Sequence, residues 1–340
     1  MKTHTDVRSR SGPGRCARVV TALLALLATA LFLVHPAGAQ AGTDSGAEPR
    51  TEADRPAGQP DEVPGMNVGQ ALVLGVVEGV TEFLPVSSTG HLLVTGRLMD
   101  LDGTDAAKDA FDSYAIAIQA GAILAVLAIY WRRVTSVLNG IIGRDDDGRR
   151  LFVNLVVAFV PAAVIGVVLE GPIKDRLFDP WAIAAAWVVG GAVILFTEQR
   201  RRARQFHGKS LDELTVRMAL IVGVAQAVAM WPGTSRSLVT ILAGLFLGLS
   251  VAAAVELSFL LGLVTLGAAT AYEGLRNGSV MVDAYGIGVP LVGLVAALVS
   301  AFIAVRWMVS WLQSRGLAVF GWYRIAAGLV LVVLLASGTV

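Results

Sequence analysis

The sequence predicts an all-α polytopic membrane protein, with six full spans plus two re-entrant helical pairs in an inverted-topology repeat. Three observations carry that prediction. The 340-residue chain is 55% hydrophobic and only 16% charged, with a mean hydropathy of +0.67, far from soluble globular composition. Its apolar residues gather into runs long enough to cross a bilayer, while two further runs are cut by Pro and Gly. Its cations concentrate on alternate connections.

The N-terminus reads as an addition to the membrane core. Arg8, Arg10, Arg15 and Arg18 precede an apolar run from about Thr21 to Val34, followed by Ala37-Gly38-Ala39. Residues 1–39 thus have the pattern of a secretory signal cleaved after Ala39, or of an uncleaved anchor helix. Residues 40–65, rich in Gly, Pro, Asp and Glu, are expected to be a disordered extracytoplasmic tail. The membrane domain then occupies 66–340.

A span needs roughly 20 apolar residues, with shorter ones tolerated. Segments near 113–131, 152–170, 181–197, 252–272, 285–305 and 323–340 qualify. Regions 66–98 and 214–249 are interrupted, and their second arms, near 89–98 and 236–249, are too short to cross. Each is read as a pair that dips in and returns, backbone tolerated at depth only where protein or water covers it. The connections then sort by charge. Arg132, Arg133, Arg144, Arg149 and Arg150 fall in one, Arg200, Arg201, Arg202, Arg204 and Lys209 in the next but one, and Arg306 and Arg315 in the third. The intervening connections hold only Arg97 and Lys108, Lys174 and Arg176, and Arg276. The positive-inside rule places the first set in the cytoplasm and the tail and C-terminus outside.

The interrupted regions resemble each other. Gly75-Val76-Val77-Glu78 aligns with Gly223-Val224-Ala225-Gln226, and with a one-residue gap Pro85–Gly90 lies over Pro232–Ser237. Repeat one covers about 66–197 and repeat two about 214–340; three spans between them make the second copy enter from the opposite face.

The copies differ in chemistry. The first brings Glu78, Glu82, Ser87, Ser88 and His91 to membrane depth, and the second brings Arg236 between Ser235 and Ser237. An ionisable group at the centre of a span costs about 2.5–3.5 kcal/mol, so such residues mark a site. Glu78 and Glu82, four apart, share a helix face. Arg donates a bidentate fork to phosphate, and helix N-termini after each break add N–H donors. Carboxylates beside a phosphate imply a divalent cation held by Glu78 and Glu82. His91 suits acid–base work near neutral pH, and phosphoryl transfer uses all these parts. Gln119 and Asn154 are expected to join helices, Glu256 to do so or to border the site, and Trp307, Trp311, Trp322 and Tyr323 to form an interfacial belt. The single cysteine, Cys16, excludes an intramolecular disulfide or a thiolate cluster, and nothing supports nucleic-acid binding.

Glu78-Gly-Val-Thr-Glu82-Phe-Leu-Pro-Val-Ser-Ser-Thr-Gly-His91 and Pro232-Gly-Thr-Ser-Arg236-Ser resemble the signatures of the undecaprenyl-diphosphate phosphatase family, the bacitracin-resistance membrane phosphatases. Ala117-Ile-Gln119-Ala-Gly-Ala-Ile-Leu-Ala and Trp322-Tyr-Arg324-Ile-Ala extend the likeness over about 66–340. The resemblance implies hydrolysis of undecaprenyl diphosphate to undecaprenyl phosphate and phosphate, recycling the carrier lipid of peptidoglycan synthesis and conferring bacitracin resistance. It implies a multi-pass protein of the cytoplasmic membrane, an active site facing the extracytoplasmic side, and dependence on Mg²⁺ or Ca²⁺. By position it makes Glu78 and Glu82 the acidic pair, Ser88 and His91 the catalytic pair, and Arg236 the phosphate-binding arginine. Glu82 is also expected to act in catalysis, and Thr234, Ser235 and Ser237 beside Arg236 to bind phosphate. Leu238 departs from the family's usual glycine, and the N-terminal extension is not a usual part of it. The nucleophile (serine, histidine or water) stays open, as do a homo-oligomer and the alternative of a polyprenyl-phosphate transporter or flippase built on the same inverted repeat.

Overall fold

The structure, a computed structural model, describes residues 63, 65–177, 179–203 and 208–339. The expected signal-like segment and nearly all of the tail lie outside the described residues. Among the described residues, eleven α-helices follow in order: α1 Val68–Thr81, α2 Ser88–Leu98, α3 Asp105–Ile129, α4 Trp131–Ile141, α5 Asp146–Leu177, α6 Pro180–Ala203, α7 Val216–Gln226, α8 Arg236–Phe246, α9 Val251–Tyr285, α10 Gly288–Arg315 and α11 Ala318–Ala336. Six of them, α3, α5, α6, α9, α10 and α11, are long and apolar enough to cross a membrane. This is a polytopic all-α membrane protein.

Several helices outrun the apolar segments, because hydropathy marks where a helix meets lipid and not where its backbone stops. Helix α9 runs on to Tyr285 and ends at Gly286, whose φ of +68° only glycine adopts freely. Helix α10 continues through the expected 306–322 connection to Arg315 and stops at Gly316, φ +73°. Most of the 132–151 connection is helical as α4, with exposed Trp131, Leu138 and Ile141 on one face. Glu256 accepts from Arg133 Nε at 2.7 Å there, so it ties α9 to the arginine-rich end and does not border the site.

The interrupted regions are helix–break–helix hairpins. Helices α1 and α2 contain 14 and 11 residues, about 21 and 16 Å at 1.5 Å per residue, short of a crossing. Their copies match without the gap expected from the prolines. Asn67 and Thr215 cap α1 and α7 with side chains accepting from Gln70 N and Met218 N. Ser87 and Ser235 both precede their second helices with φ of 76° and 74°. Helices α2 and α8 both end at a left-handed residue, Asp100 (φ 57°) and Gly248 (φ 93°), with Leu101 N donating to Gly96 O at 3.0 Å and Leu249 N to Gly244 O at 2.9 Å. Every one of these pairs has the same spacing. Pro85 therefore corresponds to Gly233, not to Pro232, and Ser88 to Arg236.

Packing repeats the relation. Helix α1 lies along α10 as α7 lies along α5, α6 pairs with α11, and α3 contacts α9 and α10. A Cβ at Gly75 would strike Gly293 O, and one at Gly223 would strike Ala158 O. Gly75 and Gly79 on α1 meet Gly293 and Ala297 on α10, a small-residue seam that lets backbones approach closely.

Candidate active site

Helix α1 ends just before Glu82, and Pro85, which lacks an N–H, keeps the chain from resuming a helix at once. Glu82, 8% exposed, turns inward. Its Oε2 accepts a short hydrogen bond from Ser88 Oγ. Its Oε1 accepts from Arg236 Nη2 at 3.1 Å. Arg236 is anchored further by Nη1 donating to Ser258 O at 2.9 Å, and its Cζ lies 5.2 Å from the Phe83 ring centroid. Glu82, Ser88 and Arg236 thus form one chain, serine to carboxylate to guanidinium, across the two hairpins. Ser88 and Arg236 are each the first residue of their helix, so two N-termini converge here.

All three line a cavity of about 580 Å³, with Ser87, Ser235 and Gln226 also in its wall. That volume suits an organic diphosphate headgroup. Gln226, the repeat counterpart of Glu78, has a buried Nε2 with no hydrogen-bond partner. The cavity runs to Gly166 of α5 and Glu273 of α9, about 30 Å along each helix from its N-terminus; α5 begins beside Arg149 and Arg150, and Glu256 near the start of α9 pairs with Arg133.

Other expected residues fall elsewhere. Glu78 is 1% exposed, within electrostatic reach of Glu82 and Arg236, and its Oε1 is unpartnered, but it does not line the cavity. Thr234 and Ser237 are also outside the wall: Thr234 N closes a turn onto Trp231 O, and Ser237 Oγ donates to Leu84 O at 2.9 Å, joining the two breaks. Ser235 Oγ lies 3.0 Å from Ser237 Oγ and accepts from Leu238 N at 3.3 Å. Leu238 is buried and helical there, so the usual glycine is not needed for the backbone.

His91 is not paired with Ser88. Its Nδ1 lies 2.6 Å from Ser87 O and its Nε2 2.7 Å from Tyr323 OH. A carbonyl can only accept, so Nδ1 carries hydrogen, and the Nε2 of the neutral ring accepts from Tyr323. The side chain leans back toward the helix N-terminus, as helical side chains do, and reaches the preceding carbonyl. Trp187 packs against the imidazole with centroids 4.4 Å apart.

Tyr323 therefore belongs to the site's frame and not to the interfacial belt, whereas Trp322, 65% exposed, fits a belt. Arg324, fully buried, is the other residue that the sequence reading left without a role. Its signal was there: an arginine inside an apolar run is costly. Gln119 and Asn154 do link elements, accepting from Thr270 Oγ1 at 3.2 Å and donating to Leu214 O at 3.0 Å. Among the described residues no group of three or more His, Cys, Asp or Glu gathers to hold a metal. Glu78 and Glu82 alone would leave a cation's remaining positions to substrate and water.

Fold and site define a polytopic α-helical membrane protein with charged groups buried where two broken helices meet. Residues 71–330 match the family described as bacitracin resistance protein BacA, and the chain belongs to that family. Among similar proteins, undecaprenyl-diphosphatase 1 of Chromobacterium violaceum is 45% identical over 271 residues, 79% of this chain and 97% of the relative. Undecaprenyl-diphosphatase 2 of Rhodospirillum rubrum is 45% identical over 271 residues, 80% and 96% of the two chains. Undecaprenyl-diphosphatase of Sorangium cellulosum is 45% identical over 260 residues, 76% and 83% of the two chains.

Proposed function

We propose that this protein is an integral membrane hydrolase that converts undecaprenyl diphosphate to undecaprenyl phosphate and inorganic phosphate, and so recycles the carrier lipid of peptidoglycan synthesis. The family and the names of the relatives support the reaction. The observation that carries it is Ser88 Oγ bonded to Glu82 beside Arg236 at the cavity wall. Arg236 and the N-termini of α2 and α8 bind the diphosphate. Glu82 takes the Ser88 proton as Oγ attacks the terminal phosphorus. The bond from that phosphorus to the bridging oxygen breaks, and undecaprenyl phosphate leaves. Glu82 passes the proton it took to the departing phosphate oxygen and is a carboxylate again; it then takes a proton from the water that attacks the phosphoserine and returns it to Ser88 Oγ as phosphate is released.

The residues also fit a divalent cation, Mg²⁺ or Ca²⁺. Arg236 is paired with Glu82 alone, Glu78 lies within electrostatic reach of both with a free buried oxygen, and such ions bind through one or two carboxylates plus substrate phosphates. Glu78 and Glu82 would hold it, and it would neutralise charge on the phosphate oxygens. Histidine as base or nucleophile is disfavoured because both ring nitrogens of His91 are engaged. We place the site on the extracytoplasmic side of the cytoplasmic membrane, because the cavity lies toward the helix ends remote from the arginine-rich connections. The short hairpins support re-entrant pairs, and the three crossings between them support inverted orientation.

The test is phosphate release from undecaprenyl diphosphate by purified protein. Ser88→Ala is expected to lose about 10³-fold or more in kcat, and Arg236→Ala about 10²–10³-fold, with activity abolished by chelators and restored by Mg²⁺ or Ca²⁺. Full activity in both variants sinks the site. Lipid movement without phosphate release establishes the carrier instead.

A further inference from the structure

Arg324 lies in the second turn of α11 with no exposed surface. Its guanidinium is held by main chain: Nη2 donates to Gly233 O and to Ala186 O, both at 2.8 Å, and Nη1 donates to Pro85 O at 3.4 Å. Pro85 and Gly233 are the same position in the two repeats. Each stands two residues ahead of the positive-φ serine that precedes the next helix, Ser87 or Ser235. The residues just after those serines are Ser88 and Arg236. A single planar group thus grips both breaks at equivalent carbonyls, and Ala186 fixes it to α6.

Two details show why this residue type is needed. Non-glycine residues persist at such φ only where their surroundings over-determine them, and Arg324 restrains the chain just before each one. A buried cation is an expensive way to satisfy carbonyls at membrane depth, where a hydroxyl or amide would serve each singly. What a guanidinium adds is a rigid fork that holds several acceptors in one plane, which an ammonium does not.

We propose that Arg324 is a positioning residue for hydrolysis: it sets the separation between the nucleophile on the first break and the phosphate-binding guanidinium on the second. The proposal rests on the reading of Ser88, Glu82 and Arg236 as the hydrolytic site. Arg324 touches neither substrate nor reacting atoms, and it acts through the backbone that carries both.

Arg324→Lys keeps the charge and removes the fork. In purified protein with undecaprenyl diphosphate and Mg²⁺, kcat is expected to fall about 10²-fold, the cost of a small misplacement, while KM moves less than about threefold. Added to Ser88→Ala or Arg236→Ala, it is expected to cost little more, because it works through those residues. A second variant, Gly190→Ala, leaves Arg324 in place but sets a Cβ 2.5–2.9 Å from its guanidinium, and the same kcat loss is expected. Wild-type kcat in either folded variant, or fully additive losses in the double variants, overturns the proposal. So does failure of both to fold, which would make the clamp a matter of stability alone. A wild-type protein that releases no phosphate would instead sink the hydrolase reading.

Discussion

His91 has the most to teach at the scale of single residues. An imidazole three residues after a serine invites the reading of a base beside its nucleophile, yet both nitrogens are committed elsewhere, one to the carbonyl of strained Ser87 and one to Tyr323. The Nδ1 bond meets the carbonyl of Ser87, whose φ of 76° is a conformation that costs on the order of 1–3 kcal/mol. Tyr323→Phe would leave a buried acceptor unpaired, at about 1–3 kcal/mol. A lower melting temperature and a kcat loss of about tenfold are expected, measured by thermal denaturation and phosphate release. An unchanged kcat would separate His91 from the site altogether. The carboxylates and Arg236 were legible in the sequence because charge at membrane depth is conspicuous on any reading. The Tyr323 contact was not, because 232 residues separate it from His91 and no local pattern encodes such a pairing.

At the scale of elements, the seam between α1 and α10 fixes where Glu78 and Glu82 stand. Gly79 lies against Ala297 O, Ser300 Oγ and Ala301 N, so a methyl group there cannot be accommodated without moving a backbone. Gly79→Ala is expected to cost about 1–3 kcal/mol by overpacking, seen as a lower melting temperature in detergent. It should also slow phosphate release, because α1 carries Glu78 and ends just before Glu82. An unchanged melting temperature would show that the seam yields. The two hairpins could be read from the sequence as breaks in apolar runs, but their register could not. Proline is the loudest residue in each break, and matching Pro85 to Pro232 introduced a gap that the caps at Asn67, Thr215, Ser87 and Ser235 remove. Helix ends were likewise hidden: α9 and α10 stop at glycines with positive φ, well beyond the apolar segments near 252–272 and 285–305.

For the whole molecule, the arginine-rich connections and the cavity lie toward opposite ends of the long helices, which gives the proposed orientation a direct test. In a Cys16→Ser background, a cysteine at Asn139 in α4 should be shielded from impermeant thiol reagents in intact cells, while one at Gly103 should be labelled. The reverse pattern would turn the site toward the cytoplasm. The equal spacing of the two hairpins has a further consequence. Arg324 spans a fixed gap between equivalent carbonyls, so neither break can gain or lose a residue without pulling its helix start off the clamp. Length is therefore frozen in two short windows, Glu82–Ser87 and Met230–Ser235, a constraint the clamp does not place on the connections between the long helices. Insertions and deletions that lineages accumulate should collect in the connections and leave those two windows blank.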